Sequence, residues 1–184
     1  MNRFVFVFLL CAIFSNAVAA QNAQYKFKKF STSNGLSQST VIAIHQDALG
    51  QMWFGTRDGL NKYDGSTFTV FRNNPSDSLS ISNNDVLAIE EDTSGNIWVG
   101  TYNGLNCYNP TTNRFKSYYH GNNNYTINNN TVWCIKEIED EIWVGTANGL
   151  SIFNKKTKKF ISVLANKNDP ESLPDNFILK ILKT

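Results

Sequence analysis

Three copies of one motif recur along this chain at a constant spacing of 45 residues. Each copy reads W-[FV]-G-T-x-x-G-L-x-x-[YF]-[DN], and the copies begin at Trp53, Trp98 and Trp143. A repeat of this length indicates a supersecondary unit whose copies stack, because a single unit of this size cannot bury its own apolar face. The repeat therefore constrains the architecture before any local prediction is made.

Each repeat contains four short apolar segments separated by turn residues. The first segment, residues 41–44 in the first repeat, is rich in β-branched residues and too short for a helix, which predicts a strand buried on both faces. In the second segment Trp53 and Phe54 are adjacent, and neighbouring residues of a strand point to opposite faces, so both faces should be covered. A glycine inside this strand, Gly55, indicates a close backbone approach.

Four antiparallel strands with both faces covered, repeated at this period, are typical of a β-propeller blade. We predict an all-β fold, an incomplete β-propeller over residues 25–184. The repeats are expected at about 36–80, 81–126 and 127–172, with the start of a fourth at 173–184.

Both ends of the predicted propeller are incomplete. Residues 25–30 alternate apolar and polar side chains and are predicted to be an outer strand that closes a ring. Residues 177–181 are predicted to be the inner strand of a fourth blade. The chain is therefore interpreted as a fragment of a longer protein, and a short chain that closes a ring by oligomerising is the alternative.

The first twenty residues have the pattern of a signal peptide. Arg3 supplies the positive charge, residues 4–14 are an apolar run too short to span a bilayer comfortably, and residues 17–19 form a small-x-small cleavage site. We predict a chain exported to the periplasm by a cleavable signal peptide at residues 1–20, with which Cys11 is removed. An uncleaved membrane anchor is the alternative.

Charge and cysteine usage exclude several classes of site. The formal net charge is +2 without a long basic run, which argues against nucleic-acid binding, and the lysines of residues 155–159 are interpreted as a solvated turn. Cys107 and Cys134 occupy different positions of their repeats, so we interpret them as buried free thiols, with a disulfide as the alternative. Companion ligands for a metal ion are missing at the required spacing.

The repeated motif resembles the two-component regulator propeller repeat, and the resemblance covers residues 25–184. Proteins of that family carry two seven-bladed propellers, a small β-sandwich domain, a membrane helix and a histidine kinase, mostly in Bacteroidetes. The resemblance implies an exported sensor of extracytoplasmic ligands, commonly glycan fragments, in a parent anchored in the inner membrane. The expected partners are an oligosaccharide, the remaining blades and the kinase of the parent, and a second copy of the parent.

Candidate binding residues lie at the end of the predicted blades where the longer and more variable connections meet. Binding residues concentrate on such loops, and a glycan site needs aromatic faces together with amide or carboxylate groups. The candidate ligand-binding residues at that end are Arg57, Asp58, Tyr102, Asn103, Tyr119, His120, Tyr125 and Asn148.

Catalysis finds little support in the sequence. His45 takes a position held by Glu90 and Lys136 in the other repeats, and His120 has no recurring carboxylate or serine partner. Motifs of hydrolases, zinc proteases and phosphate-binding loops are missing, and the repeated Asp-x-x-Gly-x-x-Trp turns are interpreted as structural. We predict no catalytic residue, no cofactor and no metal. A protein-binding scaffold or adhesion propeller is the alternative function, and a propeller lyase or glycosidase is less favoured.

Overall fold

The computed structural model describes residues 26–183. These residues form twelve strands in three separate four-stranded antiparallel sheets, and one short 3-10 helix at Thr32–Asn34. The predicted signal peptide, Cys11 and Tyr25 lie outside the described residues. Among residues 26–183, no helix is both long enough and apolar enough to cross a bilayer.

Each sheet is a meander in which consecutive strands pair, and we call the three sheets blades 1 to 3. Blade 1 consists of β1 (Val41–Gln46), β2 (Met52–Thr56), β3 (Gly59–Tyr63) and β4 (Phe68–Phe71). Blade 2 consists of β5 (Val86–Glu91), β6 (Ile97–Thr101), β7 (Gly104–Asn109) and β8 (Arg114–Tyr118). Blade 3 consists of β9 (Val132–Ile138), β10 (Glu141–Thr146), β11 (Gly149–Asn154) and β12 (Lys159–Val163). The predicted all-β propeller architecture is confirmed.

The hydrophobic core lies between the blades rather than within them. Trp53 of blade 1 is buried against blade 2, where its ring meets Tyr108 edge to face at 5.5 Å. Trp98 of blade 2 is buried in the same way against Phe153 of blade 3, at 5.2 Å. Val99, the neighbour of Trp98, packs into the core that faces blade 1. Both faces of blade 2 are therefore covered, as the adjacent large residues predict.

Glycines in the second strand of each blade allow the next blade to approach. A β-carbon added to Gly55 would lie 2.6 Å from Val86 of the next blade, and one added to Gly100 would lie 2.5 Å from Val132. Real β-carbons do not come this close to other atoms, so a glycine is required. The prediction that these glycines mark a close backbone approach is confirmed.

An asparagine–serine pair ties the loop in front of each blade to its third strand. In blade 2, Asn106 Oδ1 accepts the Ser82 backbone N–H at 2.9 Å, and Asn106 Nδ2 donates to Ser82 Oγ at 2.9 Å. Blade 1 contains the same pair as Ser37 and Asn61. In blade 3 the residue types are exchanged, and the Asn128 backbone N–H donates to Ser151 Oγ at 2.9 Å. The loops are thus anchored by polar as well as apolar contacts.

One apolar residue of each of these loops is buried as well. Leu36, Ile81 and Ile127 are all buried, and each lies directly before the loop member of an asparagine–serine pair. An apolar side chain therefore fixes each of these three polar loops to the core.

The two terminal segments differ from the prediction, because neither residues 26–30 nor residues 177–181 form a strand. Phe30 nevertheless packs on Tyr63 at 4.8 Å, as the outer-strand residue Phe71 packs on Tyr108 at 5.1 Å. Ile178 donates its N–H to the Thr146 carbonyl at 3.1 Å. A strand needs a ladder of partners, and within residues 26–183 neither segment has a further strand of its own blade to pair with.

The first strand is also less buried than predicted. The side chain of Ile44 in β1 is 63% exposed, whereas Ile89 at the same position of blade 2 packs against the core between blades 1 and 2. The difference follows from position, because the described residues place no blade in front of blade 1. Whether both faces of a strand are buried therefore depends on the neighbouring blades and not on the sequence of the strand alone.

Candidate functional site

The predicted binding end of the blades is held together by hydrogen bonds between loops. The carbonyl of Asn130 accepts the N–H of Gly104 at 2.7 Å, and its side-chain Oδ1 accepts the N–H of His120 at 2.6 Å. Asn84 and Asn176 make the same two bonds at the equivalent places, Asn84 in the loop between blades 1 and 2 and Asn176 in the segment after blade 3. This recurring asparagine joins a turn of one blade to the loop that leads to the next blade, and it lies outside the motif that marks the repeats.

Asp58 is used in an ion pair within blade 1. Arg72 donates to its carboxylate twice, from Nη2 at 2.8 Å and from Nε at 3.1 Å. These charged hydrogen bonds hold the pKa of Asp58 below its usual value. Arg57 is exposed, and its backbone N–H donates to Gln38 Oε1 at 3.2 Å. The structure therefore places Asp58 as a partner of Arg72 and leaves the Arg57 side chain at the surface.

Tyr102 and Asn103 form the turn between β6 and β7. The ring of Tyr102 is 41% exposed and meets Trp133 edge to face at 5.5 Å. Asn103 Oδ1 accepts a hydrogen bond from Asn130 Nδ2 at 3.0 Å. Both candidates therefore lie at the junction between blades 2 and 3.

His120 and Asn148 come together in one cleft of about 340 Å³ between the β8–β9 loop and blade 3. We call it the amide cleft, because its polar lining includes His120, Asn122, Asn123, Asn124, Asn128 and Asn148. His120 is held by its backbone bond to Asn130, and its Nδ1 lies 3.1 Å from the Ile127 carbonyl oxygen. The cleft offers amide donors and acceptors at one place, which is the chemistry that binds hydroxyl groups.

Two other candidates from the same loop stay outside the amide cleft. Tyr119 and Tyr125 are exposed, and neither lines the cleft. The structure thus brings together two of the eight candidate residues in the amide cleft and two more, Tyr102 and Asn103, at the neighbouring blade junction.

Trp133 is a further aromatic residue at this end and is not among the eight predicted candidates. It lies in a β-bulge of β9, since Val132 pairs with Thr146 and Cys134 pairs with Gly145, which leaves Trp133 between them. Its ring contacts Tyr102 on one side and Phe177, at 5.6 Å, on the other. We call Tyr102, Trp133 and Phe177 the aromatic row. The signal in the sequence is the departure from the aliphatic residue, Ile42 or Leu87, found at this place in the other repeats.

The repeated aspartate–tryptophan turns are structural. Asp47 Oδ2 accepts the indole N–H of Trp53 at 2.8 Å, and Asp92 Oδ2 accepts that of Trp98 at 2.9 Å. In the shortened third turn, Glu141 takes this role for Trp143 at 3.1 Å. The Asp47 and Asp92 carboxylates are therefore buried and used by the turns, whereas Glu141 and Trp143 are partly buried.

The lysine cluster is only partly the solvated turn that the sequence predicts. Lys155 forms an ion pair with Glu137, and only 14% of its side chain is exposed. Lys156 forms an exposed ion pair with Asp140. The Lys155 side chain is largely buried because its partner Glu137 lies at the end of the inner strand β9, close to the turn after β11.

Cys107 and Cys134 are both free thiols that are partly buried. Burial raises the pKa of Cys107 to about 12 and that of Cys134 to about 11. Among residues 26–183, no three histidine, cysteine or acidic side chains gather in a way that could hold a metal ion.

Comparisons with known proteins agree with the repeat pattern. A family model described as two component regulator propeller matches residues 35–58 and 80–103. Over 80 residues, 44% of this chain, the sequence is 54% identical to "Histidine kinase P4" of Formosa agariphila, and this match covers 6% of that protein.

Two solved structures from B. thetaiotaomicron are similar over most of the chain. The extracellular domain of the putative hybrid two component system BT3049 is 31% identical with a TM-score of 0.73, over 83% of this chain and 22% of that one. The extracellular domain of BT4673 is 26% identical with a TM-score of 0.71, over 85% of this chain and 21% of that one. This chain thus spans about a fifth of the length of these solved relatives. Two of its repeats thus match the two component regulator propeller model, and its fold is similar to that of the extracellular domains of these hybrid two-component systems.

Proposed function

We propose that this chain is an exported sensor segment of a two-component regulatory system and that it binds a glycan fragment outside the cytoplasm. The observation that carries the proposal is the similarity to extracellular domains of two hybrid two-component systems over more than four fifths of the chain. The match to a histidine kinase supports the same class of parent protein.

The proposed location is the periplasm. The apolar run at residues 4–14 and the small residues at 17–19 support a cleavable signal peptide at residues 1–20. The parent chain would be anchored in the inner membrane and would carry the remaining blades and the kinase, with a second copy of the parent as a further partner. This segment itself would have no catalytic activity.

The amide cleft is the proposed ligand site. Amide groups both donate and accept hydrogen bonds, so the side chains of Asn122 and Asn148 can pair with sugar hydroxyls in either direction. The cleft also contains His120 and the apolar surface of Leu164. Its size is within the range of sites that enclose a small ligand.

Calorimetric titration of the chain, and of the full sensor region of its parent, with a panel of oligosaccharides tests the proposal. We expect saturable heat with at least one oligosaccharide, and a loss of affinity on the order of tenfold in Asn148→Ala, because a hydrogen bond to the ligand is removed. Thr112→Ala, an exposed change in the β7–β8 turn, serves as the matched control. Heat from no oligosaccharide would contradict glycan sensing and favour the protein-binding alternative.

A further inference from the structure

We infer that a groove between blades 2 and 3 binds the acidic group of a glycan, a carboxylate or a sulfate, through Lys116 and Lys158. The groove has a volume of about 710 Å³ and lies where the β5–β6, β7–β8 and β11–β12 turns meet, at the opposite end of the blades from the amide cleft. We call it the basic groove. The inference rests on the proposed glycan sensing and adds a second position and a charge class to it.

Both walls of the basic groove belong to sheets whose four strands are all described. Lys116 is on β8 of blade 2, and Lys158 is in the turn before β12 of blade 3. The rings of Tyr118 and Phe153 lie 5.5 Å apart across the boundary between these blades. The groove is therefore a feature of the interface between blades 2 and 3.

A series of contacts joins the two lysines across the groove. Lys116 Nζ lies 5.1 Å from the centre of the Tyr118 ring, and Lys158 Nζ lies 5.9 Å from the centre of the Phe153 ring. Because these two rings are themselves in contact, the ammonium groups flank one aromatic pair.

The thiol of Cys107 is close to both lysines as well. Cys107 lines the basic groove and pairs with Lys116 in the sheet. Burial and the Asp92 carboxylate raise the pKa of Cys107 to about 12, and the charges of Lys158 and Lys116 both oppose this rise. Two positive charges from different blades therefore act on one place.

Lys116 and Lys158 are exposed, and neither forms an ion pair within residues 26–183. The other basic side chains that line the groove each have an acidic partner: Lys155 with Glu137, Lys156 with Asp140, and Arg114 with Asp77. Asp92 also lines the groove, but its buried carboxylate accepts the Trp98 indole N–H. Two positive charges are thus left for an anion from outside.

The blade does not require a lysine at position 116. The equivalent residue, which pairs with the third strand at the same register, is Thr69 in blade 1 and Ile161 in blade 3. A short polar or an apolar side chain therefore satisfies the fold here. The charge is specific to the blade that forms this wall of the groove.

Lys158 occupies a backbone conformation that disfavours lysine. Its φ is 59°, in the left-handed region, where blade 2 has Asn113 with a φ of 55°. Asparagine adopts this conformation more readily than lysine does. Asn113 also accepts the Tyr108 hydroxyl at 2.6 Å, a bond that Phe153 of blade 3 cannot make, which explains the loss of asparagine but not the gain of lysine. Residues held in costly conformations concentrate at ligand sites.

An acidic sugar has the chemistry that this groove requires. Ammonium groups donate strong, charge-assisted hydrogen bonds to anionic oxygens, and lysine accepts either carboxylate or sulfate because it imposes no planar geometry. The exposed Ser94 hydroxyl lines the same groove and can pair with a neutral hydroxyl of the sugar. The volume of the groove is within the range of small-ligand sites.

Calorimetric titration of the chain with matched disaccharides tests the charge class. The probes are digalacturonate, its neutral counterpart galactobiose, and sulfated galactobiose. We expect saturable heat with at least one acidic disaccharide and binding of galactobiose that is weaker by about tenfold or more, because the charged contacts are missing. Added salt should weaken the acidic ligand, since the exposed charges are screened.

Two variants that copy other blades test the two lysines. Lys116→Thr and Lys158→Asn should each weaken the acidic disaccharide by about tenfold, because one charged contact is lost. Lys158→Asn should also raise the Tm by about 2–4 °C, since asparagine suits the left-handed conformation. A gain in stability with a loss of binding is expected of a ligand-binding residue and not of a structural one. Lys167→Asn, which removes an exposed positive charge outside the groove, is the matched control.

The outcomes separate the basic groove from the proposed function. Equal binding of the acidic disaccharides to the parent chain, Lys116→Thr and Lys158→Asn overturns the groove and leaves glycan sensing standing, as does binding of neutral sugars alone. A hexaglutamate peptide that binds as tightly as the acidic disaccharides, and is lost in the same variants, overturns the glycan in favour of an acidic peptide. Binding of no sugar at all overturns both proposals.

Discussion

Asp92 shows how one carboxylate can hold a turn and a core residue at once. Its Oδ2 accepts the indole N–H of Trp98, and its Oδ1 accepts the backbone N–H groups of Ser94 and Asn96, each at 2.9 Å. Asp92 is buried, so these bonds replace the water that the carboxylate loses on folding. The position of the tryptophan is therefore set by the turn that precedes its strand.

Replacing Asp92 with alanine should lower the free energy of unfolding by about 2 kcal/mol, because a buried indole N–H is left without a partner. Urea denaturation followed by tryptophan fluorescence measures the change. Asp64→Ala is the matched control, since Asp64 bonds the N–H groups of Ser66 and Thr67 in an exposed turn. Equal losses in the two variants would show that the turn, and not the indole bond, carries the stability.

The two partly buried thiols should react slowly in the folded chain. With pKa values raised to about 12 for Cys107 and about 11 for Cys134, both groups stay protonated at pH 8, where an ordinary cysteine is partly ionised. We expect Ellman's reagent to react slowly with the native chain and rapidly in concentrated urea. Fast labelling of the native chain at pH 8 would mean that the thiols are accessible and ionised.

At the scale of elements, the asparagine–serine pairs show that one contact is built in two orientations. Blade 2 places serine in the loop and asparagine in β7, whereas blade 3 places Asn128 in the loop and Ser151 in β11. Both members are buried in each of these two blades. The pair, and not either residue alone, is what the blade requires.

A double-mutant cycle tests this exchange in blade 2. Asn106→Ser alone should destabilise the chain by about 2 kcal/mol, because the Ser82 N–H and the Val99 carbonyl lose their buried partner. Adding Ser82→Asn should recover part of the loss, since the pair then matches blade 3. Additive losses, measured by urea denaturation, would contradict an interchangeable pair.

The repeated strands could be predicted from the sequence because each carries its own pattern. Trp53, Gly55 and Leu60 recur at fixed spacing, and their burial follows from the stacking that such a repeat implies. The terminal segments could not be predicted in the same way. Residues 26–30 have the pattern of a strand, yet strand formation depends on partners elsewhere in the chain.

The candidate site was less predictable than the fold. The sequence indicates which end of the blades carries variable loops, and the structure brings His120 and Asn148 together there. It does not show which loop side chains share a cleft, because that depends on contacts between distant residues. Trp133 lies within an apolar run of the sequence and there looks like a core residue. Only a comparison with the equivalent positions of the other repeats distinguishes it.

At the scale of the whole molecule, stacking depends on a few points of close approach. Gly100 of blade 2 lies under Val132 of blade 3, and Gly55 lies under Val86 in the same way. These contacts set the distance between neighbouring sheets, so the packing of the two hydrophobic cores depends on them.

Gly100→Ala should therefore destabilise the chain by about 1–3 kcal/mol through overpacking, because its methyl group would overlap Val132. Adding Val132→Ala should remove the overlap, so that Gly100→Ala costs less in that background than in the parent chain. Thermal unfolding followed by circular dichroism measures both. If the alanine costs the same in both backgrounds, the contact does not set the blade spacing.

The bulge in each inner strand has a consequence for how such proteins diversify. Its residue stands outside the ladder of hydrogen bonds and tolerates both Ile42 and Leu87, so selection on folding constrains it weakly. One position per blade can then change by single substitutions while the scaffold is inherited intact. In a ring of such blades, the bulge residue of each blade can be substituted independently of the others. Related sensors can therefore acquire new ligands without a new fold.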